Sequence, residues 1–210
     1  MPSPIERRRS QARGRATRER LLRAAEVLFT RCGYAETSVN DVAERAGVGV
    51  GTVYHHFPDK RAMLLELIDD WGDRLVAARR TDLDFERFLG DDARTAIRTW
   101  LRRSYDRLRK KPTLYLVVLA MADRDVEVRR RFQRIEQLGV ERLCQVVEFG
   151  QRRGQMRADV DAASAAFLIH HAIDMAAMQL LVREVRELEH DRVLEELVDM
   201  ICRYILEDPR

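Results

Sequence analysis

The chain has 210 residues, of which 46% are apolar and 35% are charged, so it can bury a sizeable core and is not a disordered chain. Its three cysteines lie far apart with no C-x-x-C pair, which argues against a disulfide framework or a zinc site and favours a reducing compartment. The net charge of +3 is uneven, because residues 1–61 hold twelve Lys and Arg against seven Asp and Glu, a pattern typical of nucleic-acid binding.

The first predicted segment is a basic arm. Residues 1–14 are rich in arginine and show no helical periodicity, so we predict that they are disordered. Such an arm would either contact phosphates or remain a solvated tail. Residues 15–32 then carry an apolar stripe that includes Ala25 and Cys32, which predicts a helix that ends at Gly33.

The segment Thr37–Lys60 has the residue pattern of a helix-turn-helix. Ala43 is a small residue where two helices would touch, and Gly47 would allow the sharp turn between them. Val53 would anchor the second helix in the core. Residues 49–56 would then form a short helix of the kind that enters a major groove.

The glycines of residues 47–52 also permit a second interpretation, a phosphate-binding loop for a nucleotide. Such a loop follows a strand within a βαβ unit. Residues 38–46 are helical in character, so the sequence disfavours a nucleotide loop.

The rest of the chain predicts helices and no strands. Residues 81–90 are predicted to be a loop, and no alternating strand pattern or internal repeat is present. The predicted helices after the helix-turn-helix start at Asp59 and then span about residues 91–110, 113–122, 127–153, 162–182 and 191–205. The predicted fold class is therefore all-α, with a three-helix head followed by a helical C-terminal domain.

The segment Ala162–Val182 is nearly long enough to span a membrane, but it contains Asp174. An aspartate at the bilayer centre costs about 2.5–3.5 kcal/mol, so we expect a buried helix in a soluble protein and no membrane partner. A helix that is apolar on every side needs cover on every side, so we expect this helix and the last one to pack against a second copy. The predicted dimer interface on the last helix is formed by Leu194, Leu197, Val198, Ile201 and Ile205.

A polar cluster interrupts this apolar segment. Asp174 follows His170 and His171 by about one helical turn. Three interpretations remain open: an internal imidazole–carboxylate pair, polar anchors for a ligand, or a metal site. No third metal ligand is visible in the sequence, so we expect no metal, and no motif indicates a cofactor.

Aromatic and methionine side chains in the C-terminal half could line an adaptable cavity for a largely apolar small molecule, although ordinary core packing needs the same side chains. With two polar residues added, the candidate ligand-binding residues are Trp100, Tyr105, Tyr115, Met121, Phe149, His171, Asp174, Met175 and Met178.

The region around the helix-turn-helix resembles the tetracycline-repressor-type (TetR) family of transcriptional regulators. The resemblance is strong over roughly residues 15–70 and is carried by Thr37, Val42, Ala43, Ala46, Gly47, Val48, Gly51, Thr52, Val53, Tyr54, His56, Phe57, Lys60 and Leu64. One departure is Gly49, where the family more often has Ser or another small polar residue. The glycine offers no hydroxyl for a phosphate contact.

The resemblance implies an Ω-shaped homodimer with a four-helix interface near the C-terminus, bound to a palindromic operator in double-stranded DNA. It also implies two sets of DNA contacts. Bases or sugars would be reached by Gly49, Val50, Gly51, Thr52 and Tyr54. Phosphates would be held by Thr37, Ser38, Tyr54, His55 and Lys60.

The sequence therefore predicts a cytoplasmic, ligand-responsive repressor. Its domains would be an arm (1–14), a DNA-binding head (15–61) and a ligand-binding and dimerisation domain (62–210). An effector that fits only a conformation in which the two DNA-binding heads are too far apart or wrongly tilted would lower the affinity for the operator. No G-x-S-x-G, H-E-x-x-H or Walker motif is present, so an enzyme is not expected. An activator or a DNA-architectural protein with the same head remains the alternative.

Overall fold

The computed structural model describes residues 4–83, 92–110, 112–182 and 189–207. Over these residues the chain forms nine α-helices and no strand, which confirms the predicted all-α class. The helices are α1 (Pro4–Arg31), α2 (Val39–Ala46), α3 (Val50–His56), α4 (Lys60–Asp82), α5 (Ala93–Lys110), α6 (Pro112–Ala122), α7 (Val126–Arg152), α8 (Ala162–Val182) and α9 (His190–Ile205). The predicted loop over residues 81–90 begins later than expected because α4 continues through Asp82, and its remainder lies outside the described residues.

The helices divide into two compact units. The head unit contains Met1–Trp71 with Thr113–Arg131, and the body unit contains Gly72–Pro112 with Phe132–Arg210. These units differ from a single division after residue 61, because the head unit extends to Trp71 and includes α6 from Thr113 onwards. The reason lies in contacts distant in sequence, such as the rings of Trp71 and Tyr115, whose centroids are 6.0 Å apart.

The structure differs from the predicted disordered arm, because α1 already begins at Pro4. Proline is well tolerated in the first turn of a helix, where its missing N–H needs no partner. The residues that follow are mostly Arg, Glu, Gln and Ala, which favour helix, and Gly14 is the one glycine among residues 4–31. The absence of an apolar stripe indicated disorder, but extending an established helix requires no stripe.

The head unit has its own small core. α1 contributes Phe29, α2 contributes Val42 and α3 contributes Val53, and each of these side chains is fully buried. Phe57 closes the core after α3, with the guanidinium of Arg18 lying 4.1 Å from the centre of its ring. The positions expected to hold the helix-turn-helix together therefore do face the core.

Asp125 joins two elements of the head unit. Its carboxylate accepts hydrogen bonds from Arg61 Nε at 2.5 Å and from the N–H groups of Glu127 and Val128 at the start of α7. These bonds, that of Arg61 foremost, lower the pKa of Asp125 from 3.8 to about 2. A lowered pKa means that the ionised carboxylate stabilises the fold above pH 3.8, and that this contribution is lost as the pH falls towards about 2.

We expect Asp125→Ala to lower the free energy of unfolding near neutral pH by about 1–2 kcal/mol, because the helix cap and the ion pair are both lost. The difference from the wild type should shrink as the pH is lowered from about 4 to about 2. Urea unfolding at a series of pH values measures this difference. Asp123→Ala removes an exposed carboxylate nearby and serves as the control. A difference that does not change with pH would contradict the assigned role.

The core of the body unit contains the residues predicted for the dimer interface. The side chains on one face of α9, Leu194, Leu197, Val198, Ile201 and Ile205, are at most 9% exposed and pack in the core of their own chain. The prediction that they form an interface with a second copy is therefore corrected. An apolar stripe shows that a helix face is covered, but not whether the cover belongs to the same chain or to a partner.

α8 supplies buried residues to the same core. Ala165, Ile169, Ile173 and Ala177 lie on its inner face and are at most 6% exposed. By length and composition alone, Ala162–Leu181 could cross a membrane, but the core helix of a soluble protein meets the same test. Its packing against the core accounts for much of its apolar character.

Candidate DNA-binding surface and a buried polar cluster

The turn of the helix-turn-helix is set by the two ends of α2. At its start, Ser38 Oγ accepts a hydrogen bond from Asp41 N, and the Asp41 carboxylate accepts one from Ser38 N at 2.8 Å. The hydrogen bonds from Ser38 also lower the pKa of Asp41. At its end, Gly47 has a φ of 64°, a left-handed conformation that glycine adopts without strain. The geometry of both ends fixes the direction in which the chain enters α3.

α3 exposes the residues that were predicted to contact bases. Val50 and Tyr54 are 36% and 56% exposed, although both are large and apolar or aromatic. Gly49 and Gly51 are also exposed, whereas Thr52 is half-buried. Gly49 precedes the helix and makes no side-chain cap, so only backbone N–H groups are available there. The exposed face of α3 therefore presents small, apolar and aromatic residues and no carboxylate.

The five predicted phosphate contacts divide into two groups. Ser38, Tyr54 and His55 are exposed, as a contact with DNA requires. Thr37 is only 2% exposed, and its hydroxyl donates a hydrogen bond to the Gly33 carbonyl at 2.8 Å. The structure therefore gives Thr37 a structural role, and the prediction of a phosphate contact is corrected for it.

Lys60 also differs from its predicted role. Its ammonium donates to the carbonyls of Tyr34, Ala35 and Thr37 at 2.8, 3.0 and 2.7 Å. The same nitrogen lies 4.7 Å from the centre of the Tyr34 ring. Because an ammonium has three donors, all are engaged in holding the segment between α1 and α2. Lys60 thus positions the helix-turn-helix, and a phosphate contact would require some of these bonds to break.

Arg18 is a positioning residue that the sequence pattern did not single out. Its guanidinium forms an ion pair with Glu66 of α4 and donates to the carbonyl of His56, the last residue of α3, at 2.6 Å. α1, α3 and α4 are thereby joined at one point. Sequence reasoning counted Arg18 only as a basic residue, because nothing local distinguishes a structural arginine from a surface one.

The predicted ligand-binding residues belong to both units and differ in burial. Tyr115 and Met121 are half-buried and belong to the head unit. In the body unit, Trp100 and Tyr105 are buried in the core and Phe149 packs against it, while Met178 is half-buried. His171 and Met175 are exposed, so their assignment to an internal cavity is corrected. The aromatic and Met composition indicated apolar surroundings but could not specify which element would supply them.

The polar cluster of α8 lies in the body unit and has one member that was not predicted. His170 is 4% exposed, and its Nε2 atom lies 3.4 Å from an Asp174 oxygen. Glu136 of α7 completes a group whose potential ligand atoms all lie within 4.8 Å of one another. His171, by contrast, turns outward, and its Nδ1 lies 2.9 Å from the Phe167 carbonyl oxygen. Sequence reasoning missed Glu136 because it lies on a different helix.

Burial dominates the electrostatics of this cluster. It lowers the pKa of His170 to about 3, with the charge of Arg79 as the second cause, so the imidazole is neutral. It also raises the pKa of Asp174 and of Glu136. Arg79, which is half-buried and donates to the Ile135 carbonyl at 3.2 Å, is a cation whose charge acts on the cluster. Two carboxyl groups and one imidazole thus share a poorly solvated space beside one guanidinium.

Comparison with known proteins agrees with these features. Residues 21–67 match the family model described as bacterial regulatory proteins, tetR family. The chain is 27% identical over 151 residues to the HTH-type transcriptional repressor KstR2 of Rhodococcus jostii, covering 70% of this chain and 72% of that protein.

Two solved structures share the fold. One is a transcriptional regulator from Saccharomonospora viridis in complex with choline, with a TM-score of 0.78 and 24% identity over 91% of this chain and 98% of that one. The other is the SmeT–triclosan complex, with a TM-score of 0.75 and 22% identity over 92% and 93% of the two chains. Together with the helix-turn-helix geometry, the match of residues 21–67 to the family model and the likeness to a named repressor support a TetR-family transcriptional regulator.

Proposed function

We propose that the protein is a cytoplasmic repressor that binds a palindromic operator as a homodimer and is released by a small, largely apolar effector. The observation that carries this proposal is the exposed face of α3, where Val50 and Tyr54 project from a rigidly capped helix-turn-helix. The relative KstR2 is named a transcriptional repressor, which favours repression over activation.

In this proposal, residues 49–54 contact bases or sugars, and Ser38, Tyr54 and His55 contact phosphates. Ser38 lies at the N-terminus of α2, and the positive end of a helix is suited to a phosphate oxygen. The boundaries 15–61 for the DNA-binding region and 62–210 for effector binding and dimerisation remain part of the proposal.

A homodimer is supported by the outer face of α8. Phe167, Leu168 and Met175 are 53%, 54% and 52% exposed and follow one side of the helix, and on α9 Met200 is 51% exposed. Leaving several large apolar side chains in water is unfavourable, and such patches typically mark interaction surfaces. A two-fold dimer would cover them and would place two copies of α3 on half-sites separated by about one helical turn of DNA.

An effector is supported by the two structural neighbours, one solved with choline and the other with triclosan. For this chain, we infer a small molecule held in the body unit. At saturation, the small molecule lowers the protein's affinity for the operator by the ratio of its own affinities for the non-binding and the DNA-binding conformation. The chemistry of the buried residues favours a molecule with mostly apolar surface.

The proposal is tested by footprinting the purified protein on the DNA upstream of its own gene and of neighbouring genes. We expect protection of an inverted repeat that overlaps the RNA polymerase site, together with reduced transcription in a reconstituted assay. Protection of an upstream site with increased transcription would instead identify an activator. Binding to all duplexes with equal affinity would indicate an architectural protein.

We expect Val50→Ala to change the preferred operator sequence, because a contact between an apolar side chain and a base edge is lost. A mismatched base pair costs about 1–3 kcal/mol, so discrimination at one or two positions should fall by about tenfold. Binding to a randomised duplex library measures the preference. His55→Ala is the matched comparison and should weaken binding to all sequences alike. An unchanged sequence profile for Val50→Ala would contradict base contact.

A further inference from the structure

The cluster of Glu136, His170 and Asp174 in the body unit has a feature that ordinary core packing does not explain. His170 is 4% exposed, yet its Nε2 atom has no hydrogen-bond partner among the residues that the structure describes. An oxygen of Asp174 lies 3.4 Å away but does not form a hydrogen bond with it. Leaving a buried polar atom unpaired is unfavourable, so a partner for His170 Nε2 is expected.

We propose that Glu136, His170 and Asp174 bind one divalent transition-metal ion of the Zn²⁺ or Co²⁺ class. Zn²⁺ sits about 2.0–2.2 Å from nitrogen and oxygen ligands, so two ligands of a tetrahedral site lie about 3.3–3.5 Å apart. The distance of 3.4 Å between His170 Nε2 and Asp174 Oδ2 equals such a separation. The ligand atoms all lie within 4.8 Å of one another, so a small side-chain movement closes the site.

The donor set selects the class of ion. One imidazole and two carboxylates, with no thiolate, suit borderline divalent cations. Mg²⁺ and Ca²⁺ prefer oxygen ligands, whereas one donor of this cluster is an imidazole nitrogen. Three protein ligands leave one tetrahedral position open for water or for an atom of another molecule.

The surroundings of the site are shaped around the imidazole. Gly139 lies one turn after Glu136 on α7, and a Cβ atom at this position would lie 2.9 Å from His170 Cε1 and would overlap Arg79. The glycine therefore provides the space in which the imidazole and the guanidinium meet. Arg79 opposes a cation electrostatically, but it also balances one carboxylate and favours an anionic group at the open position.

The test is metal binding by the untagged, full-length protein after treatment with a chelator. Zn²⁺ is titrated by calorimetry and Co²⁺ by its visible absorption, whose intensity reports a low coordination number. We expect one ion per chain. Glu136→Gln and His170→Gln each replace a metal ligand and should reduce the affinity for the metal by at least about 100-fold. Substitutions of residues that only contact the ligands reduce metal affinity by about 10- to 100-fold, so loss of a ligand should cost at least as much.

Matched controls exist on the same two helices. Glu141→Gln on α7 and His171→Gln on α8 change exposed residues of the same types and should leave both the affinity and the Co²⁺ spectrum unchanged. Circular dichroism and thermal unfolding in the presence of a chelator establish that each variant is folded. Because Glu136 is only half-buried, Glu136→Gln should fold even if His170→Gln does not.

The proposal is overturned if the wild type binds no ion saturably, or if folded Glu136→Gln protein binds Zn²⁺ as tightly as the wild type. It is also overturned if the controls lose binding as the ligand variants do, which would indicate a surface site. The assay contains no DNA, so its result is independent of whether the protein represses transcription.

Discussion

Phe167→Glu is expected to convert the protein from a dimer to a monomer and to lower operator affinity by about 10²- to 10⁴-fold. Phe167 is 53% exposed on the apolar outer face of α8, and the centre of its ring lies 4.1 Å from that of His171. In a two-fold interface the substitution places two carboxylates in a desolvated, largely apolar patch. A monomer binds only one half-site. In a dimer, binding of one DNA-binding head raises the effective concentration of the other at its half-site, and losing this effect lowers the affinity by the 10²- to 10⁴-fold given above.

Light scattering with size-exclusion chromatography measures the oligomeric state, and a gel-shift titration measures the affinity. Val126→Glu is the matched control, since Val126 is a 56% exposed apolar residue in the head unit and glutamate is favourable in the first turn of a helix. We expect the control to remain dimeric and to bind the operator normally. If Phe167→Glu also remains a dimer, the interface does not include the outer face of α8.

Lys60→Ala is expected to destabilise the head unit by about 1.5–3 kcal/mol and to weaken binding to every DNA sequence, because three carbonyl groups lose a charged donor. The segment between α1 and α2 is then free to move, and with it Ser38 and the first turn of α2. Since the ammonium is engaged within the protein, we expect the salt dependence of DNA binding to remain the same.

A direct phosphate contact would have a different signature. Its removal would reduce the slope of log K against log salt by about 0.9. Titrations at several salt concentrations therefore separate the two roles of Lys60, and an altered slope would restore the role that the sequence pattern predicted. Arg31→Ala is the stability control, because it removes one exposed positive charge from α1, and it should change the free energy of unfolding by less than about 0.5 kcal/mol. Lys60→Arg should rescue only in part, because a planar guanidinium cannot direct three donors to the same carbonyls.

The helix-turn-helix could be predicted from the sequence because its determinants are local. Gly47 provides the left-handed turn, Ala43 fits the contact between helices, and Val53 is fully buried as its position predicts. Short-range geometry relates these residues to one another, so a single sequence carries the information. On the same helix Val50 and Tyr54 are exposed, as the predicted contacts with DNA require.

The roles of charged side chains could not be predicted in the same way. Lys60 and Arg18 both contact carbonyl groups more than 20 residues away in the chain. A basic residue in a basic head satisfies the pattern of DNA binding equally well whether its charge faces a phosphate or a carbonyl. Only the distances between atoms distinguish these two cases.

By itself, the sequence determined the all-α class, the position of the helix-turn-helix and the apolar faces of the helices, because periodicity and turn chemistry act over a few residues. The tertiary structure alone decided what covers each face. It placed the apolar stripe of α9 inside its own core, left Phe167 exposed, and brought Glu136 to His170 and Asp174. The physical reason is that burial and ligand geometry depend on which helices pack together, and this choice is made by the summed contacts of the whole core.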